Sequence, residues 1–254
     1  MRVRVLGCHG GESPRHRSTC FLVDGTVAID AGSLTSALDL RAQRRVQHVL
    51  VSHSHLDHVK DLAGLADNVV GFIKRSIDLW ATPHTLEVLR RHYFNNLIWP
   101  DFSRIPTPEQ PVYRFRELVP DTETEVGAYR VRTIPVHHPV ESMAMIVRRG
   151  RGPALAFSSD TGPTDRLWDA INADPGVRAL LLELSFPNRL QMLADIAGHL
   201  TPQTIESELR KLRVPIPVYL YHMKPPHLPT IEREVRRLKN RKIRLLKLGD
   251  LLSI

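Results

Sequence analysis

Two cysteines in 254 residues, Cys8 and Cys20, with no CxxC pair, leave nothing from which a disulfide framework or a thiolate metal cluster can be built. A reducing compartment follows. No segment approaches the ~18 consecutive apolar residues of a membrane span, and the opening MRVRVLGCHGGESPRH holds no apolar stretch long enough for a signal peptide. The expectation is a soluble cytoplasmic protein without a membrane partner. Low-complexity linkers are missing as well. We therefore read residues 1–254 as one domain, whose 42% hydrophobic and 24% charged residues suffice for a large core.

Acidic residues are in short supply. Lys and Arg number 35 against 27 Asp and Glu, giving a formal charge of +8, which favours an anionic partner such as a nucleotide or nucleic acid. Much of the excess sits in Arg210-Lys211-Arg213 and in Arg233, Arg236, Arg237, Lys239, Arg241, Lys242, Arg244 and Lys247. Runs of this kind on helices read first as solvated faces.

Short apolar runs punctuated by Gly and Asp predict strands at Val3–Leu6, Cys20–Val23, Thr26–Asp30 and His48–Ser52. Ser33–Arg44 carries Leu34, Ala37, Leu38 and Arg41 at helical spacing, and Pro83 opens a second helix. The pattern then repeats. Strands are expected near Tyr129–Val136, Met143–Arg148, Ala154–Ser158 and Ala179–Leu184, with helices after Pro163 and around Leu190 and Pro202, and a last strand at Pro217–Tyr221. Two such successions predict an α/β protein, an αββα sandwich of two β-sheets packed face to face with helices outside. The Pro-rich Asn95–Pro111 segment reads equally as a lid or as a crossover.

After the apolar run VLVS comes His53-Ser54-His55-Leu56-Asp57-His58, four potential ligands within six positions at a strand end. Neutral imidazole and carboxylate suit Zn²⁺ and similar ions. One short loop cannot easily wrap all four around a single tetrahedral ion, so two adjacent ions are the simpler arrangement. Further donors follow apolar runs downstream: His138 in IPVHHPVES, Asp160 in LAFSSDTGP and His222 in VYLYHMKP. A lone histidine is usually structural; their joint position after strands is what carries weight. His9, His16, His48, His84, His92 and His227 have no spacing that demands chemistry, and Gly10-Gly11 reads as a turn.

HSHLDH followed by His, Asp and His in this order resembles the metallo-β-lactamase superfamily over nearly the whole chain. Within it, GCHGG, HSHLDHVKDLAGLADN, NNLIWPDF, SSDTGPTD, ELSFPNRLQMLADIAGHLTP and YHMKP are similar to bacterial class II-like 3′,5′-cyclic-nucleotide phosphodiesterases and to the tRNase Z branch. The resemblance implies the metallo-β-lactamase fold, with two mixed sheets. It implies that His53, His55 and His138 hold one divalent ion, that Asp57, His58 and His222 hold a second, and that Asp160 bridges them. Zn is the expected metal, with Mn or Fe as alternatives. His137 doubles the candidate at the fourth position, where motif offset favours His138. Ser159 stands where a glycine is usual, a change expected to act on local backbone geometry more than on metal count.

Paired ions lower the pKa of a bridging water and stabilise charge on an anionic phosphodiester, so the implied nucleophile is a metal-bound hydroxide. Asp57 is a further candidate for orienting that water or taking its proton. His199 in GHLT, which resembles a tRNase Z histidine motif, is the candidate general acid or phosphate contact. Glu183, at the end of an apolar strand, is a candidate to orient His199 or a ligand histidine, and Lys224 to meet the phosphate. The expected reaction is hydrolysis of a 3′,5′-cyclic nucleotide to its 5′-monophosphate. Two alternatives stand beside it: a tRNase Z-like RNA 3′-processing endonuclease, for which no long Gly/Pro-rich arm is found, and a non-catalytic nucleotide- or RNA-binding protein. A homodimer is open as a further partner.

Overall fold

The computed structural model describes residues 1–238 and 242–254; Lys239 and Arg241 of the basic run lie outside them. Six strands open the chain: β1 (Arg2–Gly7), β2 (Cys20–Val23), β3 (Val27–Ile29), β4 (His48–Leu50), β5 (Ile77–Ala81) and β6 (Tyr113–Glu117). Seven more follow: β7 (Glu123–Val126), β8 (Tyr129–Val136), β9 (Ser142–Arg149), β10 (Ala154–Phe157), β11 (Val177–Glu183), β12 (Val218–Tyr221) and β13 (Ile243–Leu245). The last, β14 (Leu251–Ser253), returns to pair with β1. One sheet runs β14-β1-β2-β3-β4-β5-β6 and the other β13-β12-β11-β10-β9-β8-β7. Both are mixed: β3 to β6 and β10 to β13 are parallel, the rest antiparallel.

Strand alternation divides the apolar residues into three layers. Val3, Val5, Phe21, Ile29 and Leu50 of the first sheet pack on Val131, Met145, Leu155, Phe157 and Leu181 of the second. Their neighbours along the strands, Val49 and Leu79 on one sheet and Leu180 and Leu182 on the other, face outward into two helix-covered clusters. Helices α1 (Leu34–Ala37), α2 (Leu40–Gln43), α3 (Leu56–Val59), α4 (Asp61–Val69) and α5 (Pro83–His92) follow strands of the first sheet. Helices α6 (Arg166–Ala173), α7 (Gln191–Ala197), α8 (Pro202–Glu208) and α9 (Leu228–Val235) follow strands of the second. The αββα architecture expected from the sequence is thus the one observed.

Two local expectations need correction. The helix over Ser33–Arg44 is two short ones, because Leu38 is extended and Asp39 starts afresh, its carboxylate accepting from Ala42 N–H at 2.7 Å. Strands β5, β6, β7, β13 and β14 were not expected; β6 and β7 are largely exposed and charged, so they lack an apolar run to announce them. Asn95–Pro111 is the connection between α5 and β6, anchored by the buried Phe102, whose carbonyl accepts from Tyr113 N–H, while Leu97 stands 88% exposed at its tip. The basic residues of 233–247 within the described part are exposed, as a solvated face requires.

Candidate metal centre

Every side chain of the site comes from a strand's C-terminal end or from the turn or short helix that follows it. Past β4 the chain delivers His53 and His55 and then begins α3, which carries Asp57 and His58. The turn after β8 brings His138, the turn after β10 brings Asp160, and His222 follows β12 directly. Two of these turns, and the one after β3, hold a residue in the left-handed region: Ser159 (φ 57°), His222 (φ 70°) and Asp30 (φ 57°). Such conformations cost non-glycine residues roughly 1–3 kcal/mol each and gather at functional sites. Ser159 thus adopts the conformation that glycine takes freely, and its hydroxyl lies 2.8 Å from that of Ser142.

The seven expected donors converge. Donor atoms of His53, His55 and His138 lie within 4.8 Å of one another, as do those of Asp57, His58 and His222. Between the two groups sits Asp160, 1% exposed, with Oδ2 at 3.1 Å from His222 Nε2, 3.2 Å from His58 Nε2 and 3.8 Å from His53 Nε2. His138 belongs to the cluster, whereas His137 points to solvent. None of His9, His16, His48, His84, His92 and His227 joins such a group among the described residues. Gly10 packs on the ring of His222, where a Cβ would come within 2.7 Å of Cε1, so only glycine fits that turn.

Hydrogen bonds at the outward nitrogens fix which nitrogen faces inward. His58 Nδ1 donates to Asp30 at 2.7 Å, His53 Nδ1 to Ser52 Oγ at 3.0 Å, His138 Nδ1 to the Gly198 carbonyl at 3.0 Å, and His222 Nδ1 to Ser185 Oγ at 2.8 Å. Each ring then turns an Nε2 lone pair inward. His58 Nε2 meets His222 Nε2 at 3.3 Å, and His138 Nε2 meets His55 Nδ1 at 3.1 Å. Two lone pairs set this close repel unless a proton or a metal cation lies between them. His53 Nε2 and Asp160 Oδ1 are buried with no hydrogen-bond partner, a costly state for polar atoms that a cation would relieve. This donor set, imidazole nitrogens with carboxylates and outward hydrogen bonds orienting them, fits divalent metal ions.

The electrostatics agree. Burial lowers His53 well below its ordinary value and His138 to about 4, keeping both in the neutral, ligating form. Burial would also raise Asp160, but the charges of His222 and His58 hold it well below the carboxylate range. For His58, burial is outweighed by Asp160 and Asp30, which push it well above its ordinary value; a cation here would displace that proton. Asp57, 28% exposed at the side chain, is more open than His53, His58, Asp160 and His222, its Oδ2 3.2 Å from His222 Nε2.

His199 and Glu183 flank the cluster. Ser185 Oγ donates to Glu183 at 2.8 Å and lies 3.1 Å from His199 Nδ1, so one hydroxyl ties Glu183, His199 and His222 together. Glu183 also accepts from Leu200 N–H at 2.7 Å. Burial, then the nearby Asp160 charge, pushes Glu183 up to about 8, while burial lowers His199. Lys224 is half-buried beside them, its Nζ 6.0 Å from the Phe186 ring. Sequence reasoning missed Asp30, Ser52 and Ser185. Asp30 ends the apolar run VAID, the same signal that marked the others; the serines carry no spacing signal.

A family model described as the Beta-lactamase superfamily domain matches residues 20–223, which takes in HSHLDH, His138, Asp160 and His222. The chain belongs to the metallo-β-lactamase superfamily. Over 209 residues it is 27% identical to the probable 3′,5′-cyclic-nucleotide phosphodiesterase of Yersinia pestis, covering 72% of this chain and 58% of that protein. The chain thus spans less than two thirds of that relative. Unliganded yeast PDE1 superposes with a TM-score of 0.83 at 19% identity, over 100% of this chain and 99% of the other. The short form of human tRNase Z does so with a TM-score of 0.73 at 17% identity, over 100% and 99%. At these identities the two structures establish the superfamily fold and nothing finer. Membership places the chain among metal-dependent hydrolases.

Proposed function

We propose that this metallo-β-lactamase superfamily hydrolase cleaves 3′,5′-cyclic nucleotides to 5′-monophosphates. The observation that carries the reading is the paired donor set on either side of Asp160, taken with the name of the Yersinia pestis relative. His53, His55 and His138 would hold one divalent cation and Asp57, His58 and His222 the other, with Asp160 between. Zn is the first expectation, and Mn or Fe suit the same donors. Bound there, the cations would neutralise the anionic phosphodiester and activate water near neutral pH.

The chain's own groups supply the rest. Asp57, the open carboxylate, is placed to orient the attacking water and accept its proton. His199 is anchored through Nδ1 by Ser185, which leaves Nε2 for the departing 3′-oxygen. Burial raises Glu183 to about 8, so near neutral pH it would hold a proton and donate it to Ser185 Oγ; the Ser185 hydroxyl would then donate to His199 Nδ1, leaving the His199 proton on Nε2 for the departing oxygen. Lys224 brings a cation to the phosphate side, close enough for its charge to act on His199.

A substrate panel tests the reading: cyclic AMP, cyclic GMP, a chromogenic phosphodiester and precursor tRNA, each with Zn- and Mn-loaded protein. Turnover of the cyclic nucleotides without tRNA cleavage is expected. Cleavage of tRNA alone would overturn it.

A further inference from the structure

The metal centre uses the C-terminal ends of the strands, where ligands of open parallel sheets usually bind. A second cleft, of about 500 Å³, lies at the other end, around the N-terminal ends of β4 and β5. It is large enough for a small ligand, and the length of β4 separates it from His53. Its walls carry Arg44, Lys74 and Arg75, and its one carboxylate, Asp78, is engaged by Arg116 at 3.2 Å and faces His48 at 3.6 Å. Among the described residues, none of the three cations has a carboxylate partner. Positive charge is therefore left uncompensated in a concave site, which concentrates anions.

Two neutral polar residues, Ser76 and His48, line the same cleft. Ser76 Oγ is buried with no hydrogen-bond partner, a state that needs an explanation in a native protein. His48 Nδ1 accepts from Trp80 Nε1 at 3.4 Å, so the proton of the neutral ring sits on Nε2, over Gly127 at the cleft wall. The aromatic component is Phe72. Arg44 stacks on its ring at 3.9 Å, yet Phe72 as a residue stays 63% exposed at the cleft edge. A guanidinium laid on an exposed aromatic, next to unpaired cations, matches the way nucleotides are held: base on a π-face, phosphate on Lys and Arg.

We propose that this cleft is a second binding site, for a nucleoside phosphate whose phosphates meet Lys74 and Arg75 and whose base stacks at Phe72. Its distance from the metal centre makes it a regulatory or tethering site. It does not depend on which phosphodiester the metal centre cuts.

Equilibrium dialysis of metal-loaded protein against ADP and against inorganic phosphate tests this, comparing the unaltered chain with Lys74→Glu/Arg75→Glu and with Phe72→Ala. Binding at the metal centre is common to all three, so the differences isolate the cleft. The charge-reversed protein is expected to lose about one equivalent of ADP or to bind it at least about tenfold more weakly, with metal content unchanged. In the unaltered chain ADP should outbind phosphate, and Phe72→Ala should bring ADP down towards phosphate. Equal ADP binding in the unaltered and charge-reversed proteins would overturn the site. Phosphate binding as tightly as ADP would overturn the nucleotide assignment. Retention of single-stranded RNA at Lys74 and Arg75 without ADP binding would overturn it in favour of a nucleic-acid surface.

Discussion

The carboxylate of Asp30 takes the Nδ1 hydrogen of His58 at 2.7 Å and also the hydroxyl of Ser52 at 2.9 Å, while Ser52 in turn receives His53 Nδ1 at 3.0 Å. One buried carboxylate therefore sets the ring orientation of two histidines in different metal groups. Asp30→Ala should weaken metal binding about 10–100-fold, the usual cost of losing such an orienting partner. Competition with a chromogenic chelator measures it. Affinity unchanged in the variant would show that the histidines orient without Asp30.

Removing the metals should loosen the fold. The cluster buries His53 Nε2 and an Asp160 oxygen without protein partners, so the cations bind the native state and leave the unfolded chain little affected. Chelation is expected to lower Tm by about 5–10 °C, given about 2.7 kcal/mol of linkage at a hundredfold excess over Kd. Adding back Zn or Mn should restore it. An identical melting curve with and without chelator would mean the site contributes nothing to stability.

Activity should fall on the alkaline side as the Glu183–His199 pair loses its proton. Glu183 sits at about 8, raised by burial and then by Asp160. A proton donor works in its protonated form, so kcat is held below that pH and declines as pH rises through it. Glu183→Gln should cut kcat by about 10–100-fold and flatten that decline. A pH profile of the same shape in the variant would remove Glu183 from proton delivery.

The thiols should be inert. Burial, reinforced by Asp250, pushes Cys8 up to about 12, and burial places Cys20 well above its ordinary value. At pH 8 the Cys8 thiolate fraction is then about one in ten thousand. A disulfide reagent should label neither cysteine in the folded protein and both in guanidinium. Rapid labelling of the native chain would show that the N-terminal strands open.

Much of the site was legible because each donor follows an apolar run, and a buried strand that ends in His or Asp announces a ligand. HSHLDH, His138, Asp160 and His222 all have this form. Asp30 has it too, in VAID, but a single acidic residue after a strand is ordinary until the fold brings it 2.7 Å from a histidine 28 positions away. Ser185 was illegible for the same reason: its three partners are assembled by β11, β12 and the turn before α8. In the fold, most buried strands declared themselves, though β5 with its buried Ile77, Leu79 and Ala81 did not, and β6 and β7 mix charge with apolar residues at an exposed edge. The break at Leu38–Asp39 was hidden because helical spacing continues across it, and only the Asp39 cap reveals a new start.

The position of the product phosphate tests the central proposal most directly. Metal-loaded protein incubated with 3′,5′-cyclic AMP in ¹⁸O-labelled water, followed by ³¹P NMR, is predicted to give 5′-AMP with one labelled oxygen on phosphorus. Production of 3′-AMP, or no turnover by protein shown to carry its metals, would contradict it.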